Sequence, residues 1–171
     1  MKLTKAILLV TAFVALVAPF QATAADYPTH ELFLGFRYMN IEGDLNGYGW
    51  GTSYAYNFNK YFGLAGQIGG VYGSHNGSGF DLHDFLVGPR LTARGDQLNL
   101  FGHALIGGGV ASASSLGSGG GFVFAVGGGL DYNLNKSLSL RLAQVEYVGL
   151  VDGGMANSVR VQTGVVFKFG Y

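Results

Sequence analysis

The sequence predicts an all-β fold, an eight-stranded antiparallel up-and-down transmembrane β-barrel. Three observations predict it. From residue 30 onward, large apolar residues alternate with small or polar ones at period two, the pattern of strands whose two faces meet different surroundings. Charged residues make up only 12% of the chain, against roughly 25% in ordinary soluble domains, while 49% is hydrophobic. Glycine takes 30 of 171 positions, and it gathers on the face opposite the aromatics. That glycine face could not fill a soluble core, and the charges are too few to coat a soluble exterior. The inverse arrangement fits: apolar side chains toward lipid, small and polar ones inward. Strands in lipid must pair every backbone N–H and C=O internally, so they close into a barrel.

The N-terminal segment stands apart from this pattern. Lys2 and Lys5 precede an apolar run from Ala6 to Phe20, broken only by Thr11, and Ala22-Thr23-Ala24 follows with small residues at the minus-three and minus-one positions. This is the pattern of a secretory signal peptide. At about 15 residues the run is too short for a helical span, which needs about 20. The expected organisation is a cleaved signal peptide over residues 1–24 and one barrel domain over 25–171, with cleavage one residue later as the alternative.

Each strand reads as two faces. In the first, Leu32, Leu34, Phe36 and Tyr38 oppose Phe33, Gly35, Arg37 and Met39. The second sets Tyr48, Trp50, Thr52, Tyr54 and Tyr56 against Gly49, Gly51, Ser53, Ala55 and Asn57. The third sets Phe62, Leu64, Ile68 and Tyr72 against Gly63, Ala65, Gln67 and Gly69, and the fourth Phe85, Val87, Pro89 and Leu91 against Asp84, Gly88, Arg90 and Thr92. The fifth, Leu98–Ala111, is so rich in small residues that its parity is weak; His103 is placed inward, with Leu100, Ala104 and Ile106 outward. In the sixth, Phe122, Phe124, Val126, Leu130 and Tyr132 oppose Ala125, Gly127, Gly129 and Asp131. In the seventh, Ser137–Leu150, Arg141 and Glu146 have opposite parity, and both can face inward only through a β-bulge, placed near Ala143. The eighth sets Val159, Val161, Val165, Phe167, Phe169 and Tyr171 against Ser158, Arg160, Gln162, Gly164 and Lys168.

Connections alternate in length. Tight turns are expected at Asn57–Lys60, Gly95–Gln97 and Asn133–Lys136, and longer loops at Glu42–Gly47, Gly73–Asp81, Ser112–Gly121 and Gly149–Asn157, all of turn and loop composition. Tyr56-Asn57-Phe58-Asn59-Lys60 recurs as Tyr132-Asn133-Leu134-Asn135-Lys136, so both copies close hairpins at one end. Tyr48, Tyr56, Phe62, Tyr72, Tyr132 and Tyr171 lie near strand ends, where aromatic girdles form.

Several function classes are excluded or weakened. With no cysteine there is no disulfide scaffold and no thiol chemistry. A formal net charge of zero without a basic cluster argues against nucleic acid. Glycine runs at Gly107–Gly109, Gly117–Gly121 and Gly127–Gly129 lack the Lys-Ser/Thr pair of a phosphate loop, and no His/Asp/Glu spacing suits a metal. The inward face carries Arg37, Arg90, Arg141 and Arg160, with Asp84, Asp131 and Glu146 as counter-charges and Glu31 as a further candidate. An eight-stranded barrel is just wide enough for its own side chains to fill, so a paired polar plug is expected in place of a pore. Glu146 is expected to pair with Arg90 or Arg141. His83 and Asp84 are neighbours and point to opposite faces. His75 lies near Ser74 and Ser78, and no His-x-Ser pair of the kind seen in outer-membrane lipid A deacylases is present. No catalytic site and no cofactor are expected.

The whole mature length resembles the small outer-membrane β-barrel domain related to the transmembrane part of outer membrane protein A. Phe85-Leu86-Val87-Gly88-Pro89-Arg90, Gly127-Gly128-Gly129-Leu130-Asp131-Tyr132 and the segment from Gln162 carry the resemblance. Gln162, Gly164, Phe167, Phe169 and Tyr171 resemble that family's C-terminal assembly signal. The resemblance implies the outer membrane of a Gram-negative-type bacterium and assembly by the barrel-assembly machinery; outer-membrane lipid as the surrounding partner and a monomeric state are expected with it. A periplasmic peptidoglycan-binding domain is not expected. Such barrels serve as structural proteins, adhesins and occasionally enzymes, so no single activity is implied. The expectation is a non-enzymatic envelope protein, with surface adhesion, lipid A modification or a narrow pore as alternatives.

Overall fold

The computed structural model describes residues 27–41, 45–75, 78–113, 117–151 and 155–171; the expected signal peptide and its cleavage site lie outside them. Eight strands follow one another: β1 His30–Ile41, β2 Leu45–Asn57, β3 Phe62–His75, β4 Ser78–Arg94, β5 Leu98–Ala113, β6 Gly117–Asn133, β7 Leu138–Val151 and β8 Met155–Phe169. Each pairs antiparallel with the next, and β1 closes against β8, so the sheet is a barrel without edges.

The alternation places the side chains as their parity indicates. Phe36, Trp50, Phe85, Leu100, Val126 and Phe167 face out, whereas Arg37, Gln67, Asp84, Asp131 and Arg160 are buried within the barrel. On β5, His103 is buried and Leu100 and Ile106 are exposed. Among the described residues no helix is long and apolar enough to cross a membrane; the strands carry the apolar outer surface instead.

The two echoed segments make the same turn. Phe58 and Asn59 donate their backbone N–H groups to the Phe62 carbonyl, and Leu134 and Asn135 donate theirs to the Leu138 carbonyl. In both, the asparagine side chain accepts from the backbone two residues on, Tyr61 in one and Ser137 in the other, the asparagine-centred geometry that favours this residue in turns. Thr29 and Gly170, near the two ends of the barrel sequence, meet at this same end of the barrel.

At the opposite end the expected loops prove shorter. Pairing continues through Ser112↔Ser118 and Ala111↔Gly119 in the β5–β6 hairpin and through Gly73↔Phe80 in β3–β4. Only residues 42–44, 76–77, 114–116 and 152–154 lie between strands there. Glycine and serine read as loop by composition, but ladder hydrogen bonds use backbone alone, and a paired neighbour holds such residues extended. β4 and β6 reach 17 residues each, where about ten span a bilayer, so these hairpins continue past the apolar band.

The bulge lies at Leu142 and Ala143. Asp131 pairs with Arg141 but Leu130 with Ala143, and on the other side Arg141 meets Gly164 while Gln144 meets Gln162. Leu142 and Ala143 are both exposed, so Arg141 and Glu146 both turn inward. Deleting Ala143 would force either Arg141 or Glu146 into lipid, because a one-residue slip swaps every side chain's face. Refolding of that variant into detergent micelles, followed by heat-modifiable gel mobility, is expected to fail, while deletion of Asp96 in an exposed turn is tolerated.

Candidate functional site in the barrel lumen

The inward side chains form one connected polar network over the half of the lumen nearer the tight turns. Glu31 of β1 accepts from Arg94 Nη2 at 2.6 Å and lies 3.0 Å from Arg90 Nη2. Asp131 of β6 receives Arg141 through Nε at 2.7 Å and Nη2 at 3.0 Å, a two-pronged fit that suits a planar guanidinium. Farther along, Asp84 Oδ2 is shared by Arg37 Nη1 at 2.7 Å and Arg160 Nη1 at 2.8 Å. Glu146 takes Arg160 Nε at 2.7 Å on one oxygen and lies 2.8 Å from His103 Nε2 on the other.

Neutral amides join these groups. Arg141 Nη1 donates to Gln144 at 2.6 Å, Gln144 donates to Gln67 at 3.0 Å, and Gln67 donates to Glu146 at 3.3 Å. Gln162 donates to Glu146 at 2.9 Å and accepts from Arg37 Nε at 3.2 Å. A continuous path therefore runs from Asp131 to Arg37 across β6, β7, β3, β8, β4 and β1. Nearer the turns Asn133 accepts from Lys168, Ser139 and Asn99.

Aromatic rings complete the plug. The Arg141 guanidinium lies 4.4 Å from the Phe33 ring centre and 4.2 Å from that of Phe101, and Arg90 stacks on Phe101 at 4.3 Å. Cations over ring faces gain most where water is excluded. Glycine makes the remaining room: a Cβ at Gly69 would stand 2.5 Å from the Arg37 Cζ, so any larger residue there displaces the guanidinium.

Each of the four acids, Glu31, Asp84, Asp131 and Glu146, is flanked by two basic side chains. Sharing lets few carboxylates compensate more numerous arginines, which an unpaired buried charge would make costly. Arg37, Arg141 and Arg160 are at most 1% exposed, so the network fills the lumen at their level.

All seven residues assigned to the lumen from parity, Arg37, Asp84, Arg90, Asp131, Arg141, Glu146 and Arg160, lie inside. The partner expected for Glu146 is corrected: Arg160 and His103 hold it, while Arg90 and Arg141 serve Glu31 and Asp131. Sequence reasoning passed over Gln67, Gln144, Phe33 and Phe101 as parts of this site, although inward parity marked Gln67 and Phe33. Gln162, assigned to the C-terminal signal, also belongs to the network. Of that signal's other residues, Phe167, Phe169 and Tyr171 face outward, and Gly164 pairs with Gly35 at the β1–β8 seam.

The histidines are dispersed. His103 is engaged by Glu146, His30 bonds the Tyr54 hydroxyl at 2.6 Å among rim aromatics, and His83 faces out 3.8 Å from Asp81. The side chains of His75 and Ser78 lie outside the described set. Among the described residues no group of His, Asp and Glu could hold a metal.

No protein-family model matches the sequence, and no curated protein matches it. Solved structures do match. Neisserial surface protein A superposes with a TM-score of 0.68 at 15% identity, over 86% of this chain and 100% of that one. Ail, the attachment invasion locus protein of Yersinia pestis, gives 0.60 at 19% identity, over 84% and 99%. The outer membrane protein OprG from Pseudomonas aeruginosa gives 0.56 at 10% identity, over 85% and 97%. The likeness is one of fold: the transmembrane β-barrel.

Proposed function

We propose that this chain is a non-enzymatic integral outer-membrane protein that contributes to the structure of the envelope. One observation carries the reading: the lumen is occupied by shared ion pairs, so the barrel is built as a rigid body in lipid and offers no wide aqueous path. The outward row of Trp50, Phe85, Leu100 and Val126 supports lipid as the surrounding phase. The basic, apolar and small-residue segments before residue 25 support export through a signal peptide cleaved after Ala24. The relation to the barrel of outer membrane protein A, the monomeric state and delivery by the barrel-assembly machinery belong to the same proposal. A strain lacking the gene is expected to become leaky to hydrophobic dyes with an unaltered lipid A mass spectrum. A changed spectrum with an intact barrier would sink the structural reading in favour of lipid A chemistry.

A second reading, surface recognition, has its own support. The β3–β4 and β5–β6 hairpins are longer than a bilayer requires, and the Yersinia neighbour is an attachment protein by name. Adhesion of intact cells to host or matrix surfaces, compared with and without the gene, separates the two.

Orientation belongs to the proposal as well. An even strand count puts both termini at one end, and in such barrels the hairpins that reach farther past the bilayer, here β3–β4 and β5–β6, face outward while the termini lie in the periplasm. An epitope inserted at Gly77 should be reached by antibody on intact cells, and one at Asp96 only after permeabilisation. The reverse result would invert the barrel.

A further inference from the structure

Beyond the ion network the lumen changes character. On the strands that carry Arg37, Asp84 and Arg160, the next inward residues away from the turns are Met39, Leu82 and Ser158. With Val123, Val148 and Leu150 they bound a cavity of about 160 Å³, whose remaining wall is largely glycine from β5 and β6. Met39, Val123 and Val148 are nearly solvent-free, and the guanidiniums of Arg37 and Arg160 below them are fully so. The cavity is therefore a cup with a closed floor and no passage through the barrel.

We propose that this cup binds an uncharged, apolar small molecule of about benzene size. A buried water needs two to four polar partners, and here the backbone is committed to the barrel ladder and Ser158 supplies the one side-chain hydroxyl of the lining. An apolar cavity of roughly this volume stays dry and takes up benzene. The lining carries no charged side chain, and the two guanidiniums beneath it are already compensated by Asp84 and Glu146, so an ionised ligand is disfavoured by its desolvation cost. The glycines point the same way. Ala111 faces Gly119 and Gly109 faces Gly121 across the β5–β6 pair, and a Cβ at Gly119 would meet nothing within 4 Å. Gly119 is exposed at the cup's mouth, so at this point no side chain blocks entry. The mouths of β-barrels are also where small ligands commonly sit.

The test uses the mature barrel in lipid nanodiscs, titrated with benzene and read by methyl NMR. Methyl resonances of Met39, Val123, Val148 and Leu150 are expected to shift and saturate. Those of outward Ile106, Val126 and Val159 report partition into lipid and shift in proportion to concentration. Gly119→Phe, or Ala111→Phe should that variant not refold, fills the cup and is expected to abolish the saturable shifts while leaving the proportional ones. Benzoate, of similar size but charged, is expected to give no saturable shift. Inward methyls that only track the outward ones, saturation that survives a folded cup-filling variant, or benzoate saturating as benzene does would each overturn the proposal. None of these outcomes depends on the envelope role or on the barrel's orientation.

Discussion

Glu146→Ala is expected to lower the unfolding midpoint of the refolded barrel by an amount equivalent to about 3–5 kcal/mol, the usual cost of removing one partner from a buried ion pair. Glu146 is the junction of the network: Arg160, His103, Gln162 and Gln67 all converge on its two oxygens. Without it the Arg160 guanidinium keeps only Asp84, which Arg37 already shares. The loss therefore includes a buried cation left under-compensated as well as the broken bonds. Asp96→Ala, in an exposed turn, should change the midpoint by a few tenths of a kcal/mol, within the usual range for surface positions. Glu146→Gln keeps one acceptor oxygen but turns the other into an NH2 group facing donors, and should fall between the two. Replacing the pair together, Glu146→Leu with Arg160→Met, should recover most of the loss, because a well-packed apolar pair can substitute for a buried ion pair. Urea titration followed by the fluorescence of Trp50, the chain's one tryptophan, measures all four. Equal midpoints for Glu146→Ala and Asp96→Ala would remove the network from the account of stability.

The pairing also shows which features are legible in a barrel sequence. Face assignment needs only local parity, and it succeeded even on β5, where His103 against Ile106 was the main cue. The bulge was legible because two charges of opposite parity both needed the interior. Partner choice was not legible. Asp84 and Arg160 lie on β4 and β8, which are not neighbours in the sheet, and their meeting depends on how far the strands stagger around the closed cylinder. The amides and rings were overlooked for a different reason. Gln67, Gln144, Phe33 and Phe101 carry no charge to signal a buried cost, although they connect and sandwich the arginines. The long loops were misread because glycine and serine composition signals a break in isolated chain, whereas here cross-strand pairing holds them straight.

The final strand carries the other large expected effect. Deleting Gly170 and Tyr171, or making Phe169→Ser, should stall export and leave unfolded protein in the periplasm, while refolding into detergent stays largely possible. Phe167, Phe169 and Tyr171 share one face and are 43–53% exposed, an aromatic row on the outer surface. β8 is also the strand that closes the barrel, pairing with β1 from His30↔Phe169 to Ile41↔Ser158. Before that closure its edge is an unpaired backbone ladder with an apolar row, a template for strand addition to another protein. We propose that the assembly machinery captures this edge, reading the segment that begins at Gln162. The structure also gives these residues local contacts that deletion would remove. Phe169 stacks on His30 at 5.2 Å, the Gly170 carbonyl accepts from Thr29, and the Tyr171 hydroxyl reaches the Lys136 carbonyl. Gly170 turns the chain with φ of +76°, a conformation that glycine adopts without strain. Those contacts stabilise the finished barrel at its rim, and their loss should act in detergent and in cells alike. A capture role predicts a split between the two settings: near-normal refolding in vitro and failed insertion in vivo. Matching behaviour in both, whether both succeed or both fail, would reduce the segment to lipid-facing surface and rim packing.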